Sequence, residues 1–276
     1  MRLSRPAVTT PMRAVRAIFL LSICLTLWGC ARTPAGLAGT NATRLSFRFF
    51  LNNPINPAYV YVVAIRVLTP PVGTDPQLSD PTQGPSPVVT TGSKNGVVGG
   101  WPTHYVVYTG IEPTPYEVYR FPHASEVPDP SDPTAPLNLA MPGIDLGPVI
   151  AGSAVDPAPT GANTTYGSEL GFDIDTSYLD QFASGPGSIQ VIQFNILTMN
   201  VTALNPSTLS SRVMDAIGNQ SSINNQTFVN PVQVNITTGG MITDVNAGVP
   251  EAANDTFGGI LPAVDLVGWS LNVSTP

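Results

Sequence analysis

The chain of 276 residues is long enough to bury a sizeable core, and it is acidic, with 18 Asp and Glu against 11 Lys and Arg. This charge balance argues against nucleic acid and anionic lipid headgroups as partners, because both favour a basic surface. Charged residues make up only 11% of the chain and prolines number 29, about twice their usual share of roughly 5%. The composition therefore excludes helices built on Glu and Lys pairs and favours strands joined by long loops.

The first 29 residues have the pattern of a secretory signal. Four arginines and no acidic residue precede an apolar run from Ala17 to Trp28. A basic stretch followed by about a dozen apolar residues is typical of a signal peptide, whereas a membrane-spanning helix needs roughly 20. A complete signal also begins at Met12, so the pattern fits a translation start at either Met1 or Met12.

The apolar run ends in the sequence Leu27-Trp28-Gly29-Cys30. These residues resemble the lipobox of bacterial lipoproteins, although Trp28 stands where a small or hydroxylated residue is usual. The resemblance covers the first 30 residues and implies that Cys30 carries lipid, such as palmitate. Each buried CH₂ contributes about 0.8 kcal/mol, so two or more acyl chains anchor a protein stably. Because Ala31 rather than Asp follows the cysteine, the resemblance favours the outer membrane or the cell surface.

Cleavage at this site defines the expected domains and limits their chemistry. Residues 1–29 are the signal peptide, 30–43 a lipidated tether and 44–276 a single β-sandwich-like domain. The chain has only two cysteines, Cys24 and Cys30, so the mature domain has neither a disulfide nor a thiol for catalysis. Cleavage also leaves seven Lys and Arg against 18 Asp and Glu. We expect no cofactor.

Period-two patterning predicts most of the remaining elements as strands. They cover residues 45–51, 103–109, 116–121, 169–173, 189–201, 228–237 and 263–273. The run 58–68 is apolar on both faces except for Arg66, as in a central strand. The Pro-rich stretches 69–100 and 122–165 predict long loops, the first with a short strand at Val88-Val89. One short helix is predicted from Pro206 to Ile217, with Asn205 as N-cap and Gly218 as C-cap. The expected fold is mostly β, an antiparallel β-sandwich with long Pro/Gly-rich loops and one short helix.

The predicted hairpin 101–121 is rich in aromatic side chains. A ligand platform on one face of it would use Trp101, Tyr105, Tyr108, Tyr116 and Tyr119. Such rings bind glycans or protein partners because they combine a large contact area with a polar tip. Packing in the core or across strands is the ordinary role of aromatic residues in sheets, and the sequence favours it over the platform.

Few residues are available for catalysis or metal binding. The histidines are His104 and His123, and no Gly-x-Ser-x-Gly elbow accompanies them. Paired carboxylates leave a glycoside hydrolase as the enzyme class still open. The segment from Asp173 begins as a calcium loop does, but Tyr178 stands at the position of its Gly and Ser184 at that of its Glu, which excludes an EF-hand. A different calcium site would use Asp173, Asp175 and Asp180, and the favoured alternative is strand-end aspartates with a helix N-cap near Asp175.

These patterns predict a lipoprotein held to a membrane through lipid on Cys30, with a non-enzymatic domain for binding or for a structural role. Its further partners would be a protein or a glycan at the surface. The alternative is a carbohydrate-binding or carbohydrate-cleaving surface module that uses the aromatic hairpin 101–121.

Overall fold

The computed structural model describes residues 42–68, 85, 102–111, 113–120, 144–159, 165–179, 189–200, 213–217, 231–253, 256 and 261–276. All of them lie within one compact unit, Ala35–Pro276. The predictions that concern Cys30, Val88-Val89, Trp101, His123 and Asp180 lie outside the described residues.

The described part of the chain is organised into two antiparallel sheets. Its strands are β1 (Arg44–Leu51), β2 (Tyr59–Leu68), β3 (His104–Tyr108), β4 (Tyr116–Arg120), β5 (Ile144–Pro148), β6 (Glu169–Asp175), β7 (Val191–Asn200), β8 (Val213–Ala216), β9 (Val232–Asn235), β10 (Gly240–Thr243) and β11 (Leu266–Ser274). The small sheet has the order β10-β11-β1-β6. The large sheet has the order β5-β4-β3-β2-β7-β8, and β9 also pairs with β7.

The core lies between the two sheets, and the residues that form it follow from the alternation of side chains along each strand. Alternate residues of β1 point inward, so Leu45, Phe47 and Phe49 are buried while Arg44 and Phe50 are exposed. The facing strands β2 and β7 contribute a second apolar row: Tyr61, Val63, Ile65, Val67, Ile192, Phe194 and Ile196. Both strands are also buried on their other face, where Val62, Ala64 and Leu197 form a smaller cluster.

The sequence-based fold class, a mostly β antiparallel sandwich, is confirmed, and β2 is a central strand. The short helix predicted from Pro206 to Ile217 is wrong over its described residues, because Val213–Ala216 form strand β8. Val213, Ala216 and Ile217 lie at helical spacing, but β8 takes its backbone partners from Leu197–Met199 of β7. Tertiary pairing therefore overrides the local cap signals at Asn205 and Gly218.

Besides β8, two further strands, β5 and β10, were not predicted from the sequence. Strand β5 lies inside the stretch 122–165 that was predicted as a loop, and it contains Gly147 and Pro148, which are rare in strand interiors. It pairs with β4 through a register shift at Val118 and Tyr119, so it belongs to the sheet edge, where such irregularities are tolerated. Strand β10 has only four residues and two of them are exposed, which leaves little apolar pattern to detect.

The outer edge of β6 is covered by the segment that follows β5. The Ile150 amide donates to the Asp173 carbonyl at 3.0 Å, and the Val155 amide donates to the Gly171 carbonyl at 2.7 Å. The hydrogen bond in the opposite direction, from Gly171 to Val155, is relayed by a side chain of the large sheet. The Gly171 amide donates to the Tyr116 hydroxyl at 2.9 Å, and that hydroxyl donates to the Val155 carbonyl at 2.7 Å. Tyr116 thus completes the ladder at this edge and links β4 of the large sheet to β6 of the small one.

Tyr116→Phe should lower the free energy of unfolding by about 2–6 kcal/mol. The change leaves the Gly171 amide and the Val155 carbonyl without their shared partner, and each unsatisfied buried group costs about 1–3 kcal/mol. Urea denaturation followed by fluorescence measures the loss.

Tyr108→Phe is the matched control in the same hairpin. It removes a hydroxyl that donates to the half-buried Asp156 carboxylate at 3.0 Å, a group that water can reach. The control should lose less stability than Tyr116→Phe. Equal losses would contradict the special role of the Tyr116 hydroxyl.

Candidate functional site

Strands β3 and β4 form the predicted aromatic hairpin, and their register divides its side chains between two faces. Opposite residues of an antiparallel pair point to the same face, and successive residues alternate. The pairs His104 with Arg120, Val106 with Val118, and Tyr108 with Tyr116 therefore share the inner face. The pairs Tyr105 with Tyr119 and Val107 with Glu117 share the outer face. The four candidate rings in the described residues therefore do not form one surface.

The inner rings belong to the core between the sheets. Tyr116 is 1% exposed and Tyr108 7%, and their ring centroids are 5.2 Å apart. Tyr116 also packs against Phe172 of β6, with ring centroids 5.3 Å apart. Burial raises the pKa of the Tyr116 hydroxyl well above its ordinary value. These rings have the packing role that the sequence favoured and present almost no surface to a ligand.

The outer rings are stacked on each other. The Tyr105 and Tyr119 centroids lie 4.9 Å apart and the ring planes differ by only 13°. Tyr105 is buried beneath its neighbours at 2% exposure, while Tyr119 is half-buried. Burial raises the pKa of both hydroxyls, the effect being stronger at Tyr105. Of the four candidate rings in the described residues, Tyr119 presents the most surface.

Two carboxylates accompany the outer rings. Asp145 of β5 lies directly opposite Tyr119 in the register, and Glu117 precedes Tyr119 by two residues on the same face of β4. Burial raises the pKa of the Glu117 carboxyl and the nearby Asp145 raises it further, while the Thr114 hydroxyl, which donates to Glu117 at 3.3 Å, opposes the rise. Asp145 is exposed and accepts a hydrogen bond from the Gly147 amide at 2.7 Å. The half-buried ring can stack on a sugar, and the two carboxyl groups beside it can accept hydrogen bonds from the sugar hydroxyls.

The sequence analysis did not single out either acid. Glu117 was detectable, since period-two alternation places it on the face of Tyr119. Asp145 was not detectable, because its strand β5 was predicted as part of a loop. Its place beside the hairpin depends on the pairing of β5 with β4.

The two described aspartates that were considered for calcium, Asp173 and Asp175, have other contacts. Asp173 forms ion pairs with Arg44 Nε at 3.1 Å and Arg48 Nη1 at 3.3 Å. Asp175 is the N-cap of a short 3-10 helix, Thr176–Tyr178, and accepts bonds from the amide and the hydroxyl of Ser177. This cap agrees with the alternative that the sequence favoured. Within the described ranges, no group of three or more His, Cys, Asp or Glu is placed to hold a metal ion.

His104 is fully buried at the inner face of β3. Its Nδ1 lies 2.8 Å from the Thr103 hydroxyl, which also accepts a bond from the Val67 amide. The pKa of the imidazole is lowered from 6.5 to about 3, first by burial and then by the nearby charge of Arg120, while a hydrogen bond with the Tyr178 backbone opposes the shift. The ring is therefore neutral at ordinary pH and is part of the packing between β3 and its neighbours.

Comparisons with known proteins place the chain in no group. No family model matches it, and neither a curated protein nor a solved structure matches it. Among the helices of the described residues, none has the length and apolar character of a membrane span.

His104 should make the folded protein sensitive to acid. The unfolded chain binds a proton on this histidine near pH 6.5, whereas the folded protein binds it only near pH 3. The contribution of neutral His104 to the free energy of unfolding is therefore fully present above pH 6.5. It is lost as the pH falls from 6.5 towards 3, by up to about 1.4 kcal/mol per pH unit. Urea midpoints at pH 7 and pH 4.5 should differ less for His104→Asn than for the parent. Equal differences in the two proteins would contradict this assignment.

Proposed function

We propose that the protein is a bacterial lipoprotein, anchored through lipid on Cys30, whose β domain has a non-enzymatic binding or structural role outside the cytoplasm. The observation that carries the proposal is Leu27-Trp28-Gly29-Cys30 at the end of a secretory signal. The outer membrane or the cell surface is the proposed location, since Ala31 follows the cysteine. The domain contacts a protein or a glycan there, and its acidity argues against nucleic acid.

The polar residues of the described core support a role without catalysis. His104 is neutral and buried, Asp173 is paired with two arginines, and Asp175 caps a helix turn. Asp215 is fully buried and accepts bonds from the amides of Ala216 and Leu266. A general acid or base must reach a substrate proton, and these groups are instead engaged in holding the fold.

A second candidate function is a carbohydrate-binding or carbohydrate-cleaving module. The observation that favours it is the outer face of the hairpin, where Tyr119 lies beside Glu117 and Asp145. A raised pKa at Glu117 has the direction that the proton donor of a glycoside hydrolase requires. The proposed glycan would stack on Tyr119 rather than on the buried Tyr108 and Tyr116.

The anchor is tested by metabolic labelling with palmitate. Parent protein should carry the label in the membrane fraction, and Cys30→Ser should be unlabelled and retained as the longer precursor, since the acyl acceptor is gone. Cys24→Ser is the matched control, because Cys24 lies inside the proposed signal, and it should be labelled like the parent. Label on the Cys30→Ser protein would overturn the proposal.

The second candidate is tested on a glycan array. Binding should be lost in Tyr119→Ala and kept in Glu169→Gln, which changes a half-buried acid on the small sheet. If the bound glycan is also cleaved, Glu117→Gln should abolish turnover while binding remains. A parent protein that binds no glycan, or a Tyr119→Ala protein that binds as the parent does, would count against this function.

A further inference from the structure

Strand β10 forms one end of the small sheet, and no strand of the described residues pairs with it on the side away from β11. Gly240 and Met241 are exposed, Met241 to 63%. Residues 232–243 contain no charged side chain and no proline. An uncharged open edge of this kind is a template for pairing with another chain, and natural proteins usually block it.

On the side of β10 away from β11, the backbone groups of the strand are bonded to the turn that follows it. The Asn246 side chain accepts a hydrogen bond from the Thr243 amide at 2.7 Å and donates one to the Met241 carbonyl at 3.2 Å. The Ala247 amide donates to the Thr243 carbonyl at 2.9 Å. Both polar groups of a strand residue point to the same side, so Met241 and Thr243 are the residues that a new strand would pair with.

The Asn246 carboxamide takes the place of the backbone N–H and C=O that a residue of a neighbouring strand would present. It supplies one donor, to the Met241 carbonyl, and one acceptor, to the Thr243 amide, two residues apart along the edge. The turn is held by a further bond, from the Asn246 amide to the Thr243 hydroxyl at 3.3 Å. Asn246 is itself exposed, so the block stands at the surface where a partner would arrive.

We propose that Asn246 blocks the open edge of β10 and so prevents this strand from pairing with β10 of a second copy of the chain. A second copy is the partner that fits, because two uncharged edges of the same sequence meet without charge repulsion, and the exposed Met241 and Val245 supply apolar contacts beside the edge. The inference is independent of the proposed function.

Sedimentation velocity of the full chain in detergent tests the proposal. The Asn246→Ala protein should sediment with at least twice the protein mass of the parent, and the larger species should increase with concentration. Asn235→Ala is the matched control, because Asn235 is an exposed residue that caps a neighbouring turn through Thr237 and lies on β9 rather than beside β10. It should sediment as the parent does.

A second change links the association to the edge itself. Met241→Lys, added to Asn246→Ala, places a charge on β10 and should restore the parent's mass, because like charges meet when two such edges pair. Asn246→Ser, whose side chain is too short to reach both backbone groups, replaces Asn246→Ala if that protein fails to fold. A folded Asn246 variant with the parent's mass would overturn the proposal, as would equal association of Asn235→Ala.

Discussion

The two sheets are held in place by buried side chains of the large sheet that bind backbone groups of the small sheet and of the segments beside it. The Tyr116 hydroxyl is the clearest case, since it lies between Gly171 of β6 and Val155 of the covering segment and bonds to both. Apolar packing brings two sheet faces together without fixing their position, because it is not directional. Hydrogen bonds at the edge are directional, and they specify which backbone groups meet.

Side chains of the large sheet also bind backbone groups just before β11 and at its first residue. The Tyr61 hydroxyl donates to the Ala263 carbonyl at 2.8 Å, and the Thr198 hydroxyl donates to the Val264 carbonyl at 2.7 Å. The buried Asp215 carboxylate accepts from the Leu266 amide at 2.7 Å. A polar group buried away from water needs such partners, because leaving it without hydrogen bonds is costly. These contacts give the side chains of Tyr61, Thr198 and Asp215 a structural role at the start of β11.

The surface left for a partner depends on which strand edges and sheet faces are already occupied within the fold. The edge of β6 is covered, the edge of β10 is bonded to its own turn, and the inner face of the hairpin is core. The outer face of the hairpin keeps Tyr119 partly open beside Glu117 and Asp145, and it is the surface on which the binding hypotheses now rest.

The sequence by itself determined the mostly β class and the positions of the longer strands, because period-two alternation is a local pattern. The proposed export signal likewise rests on a local pattern, a basic stretch followed by an apolar run. Only the tertiary structure decided that Val213–Ala216 form a strand, because β7 supplies their backbone partners while the local spacing fits a helix. It alone brought Asp145 to Tyr119 and the Tyr116 hydroxyl to Gly171, 55 residues away. Contacts between residues so distant depend on the pairing of whole strands, and no local pattern records that pairing.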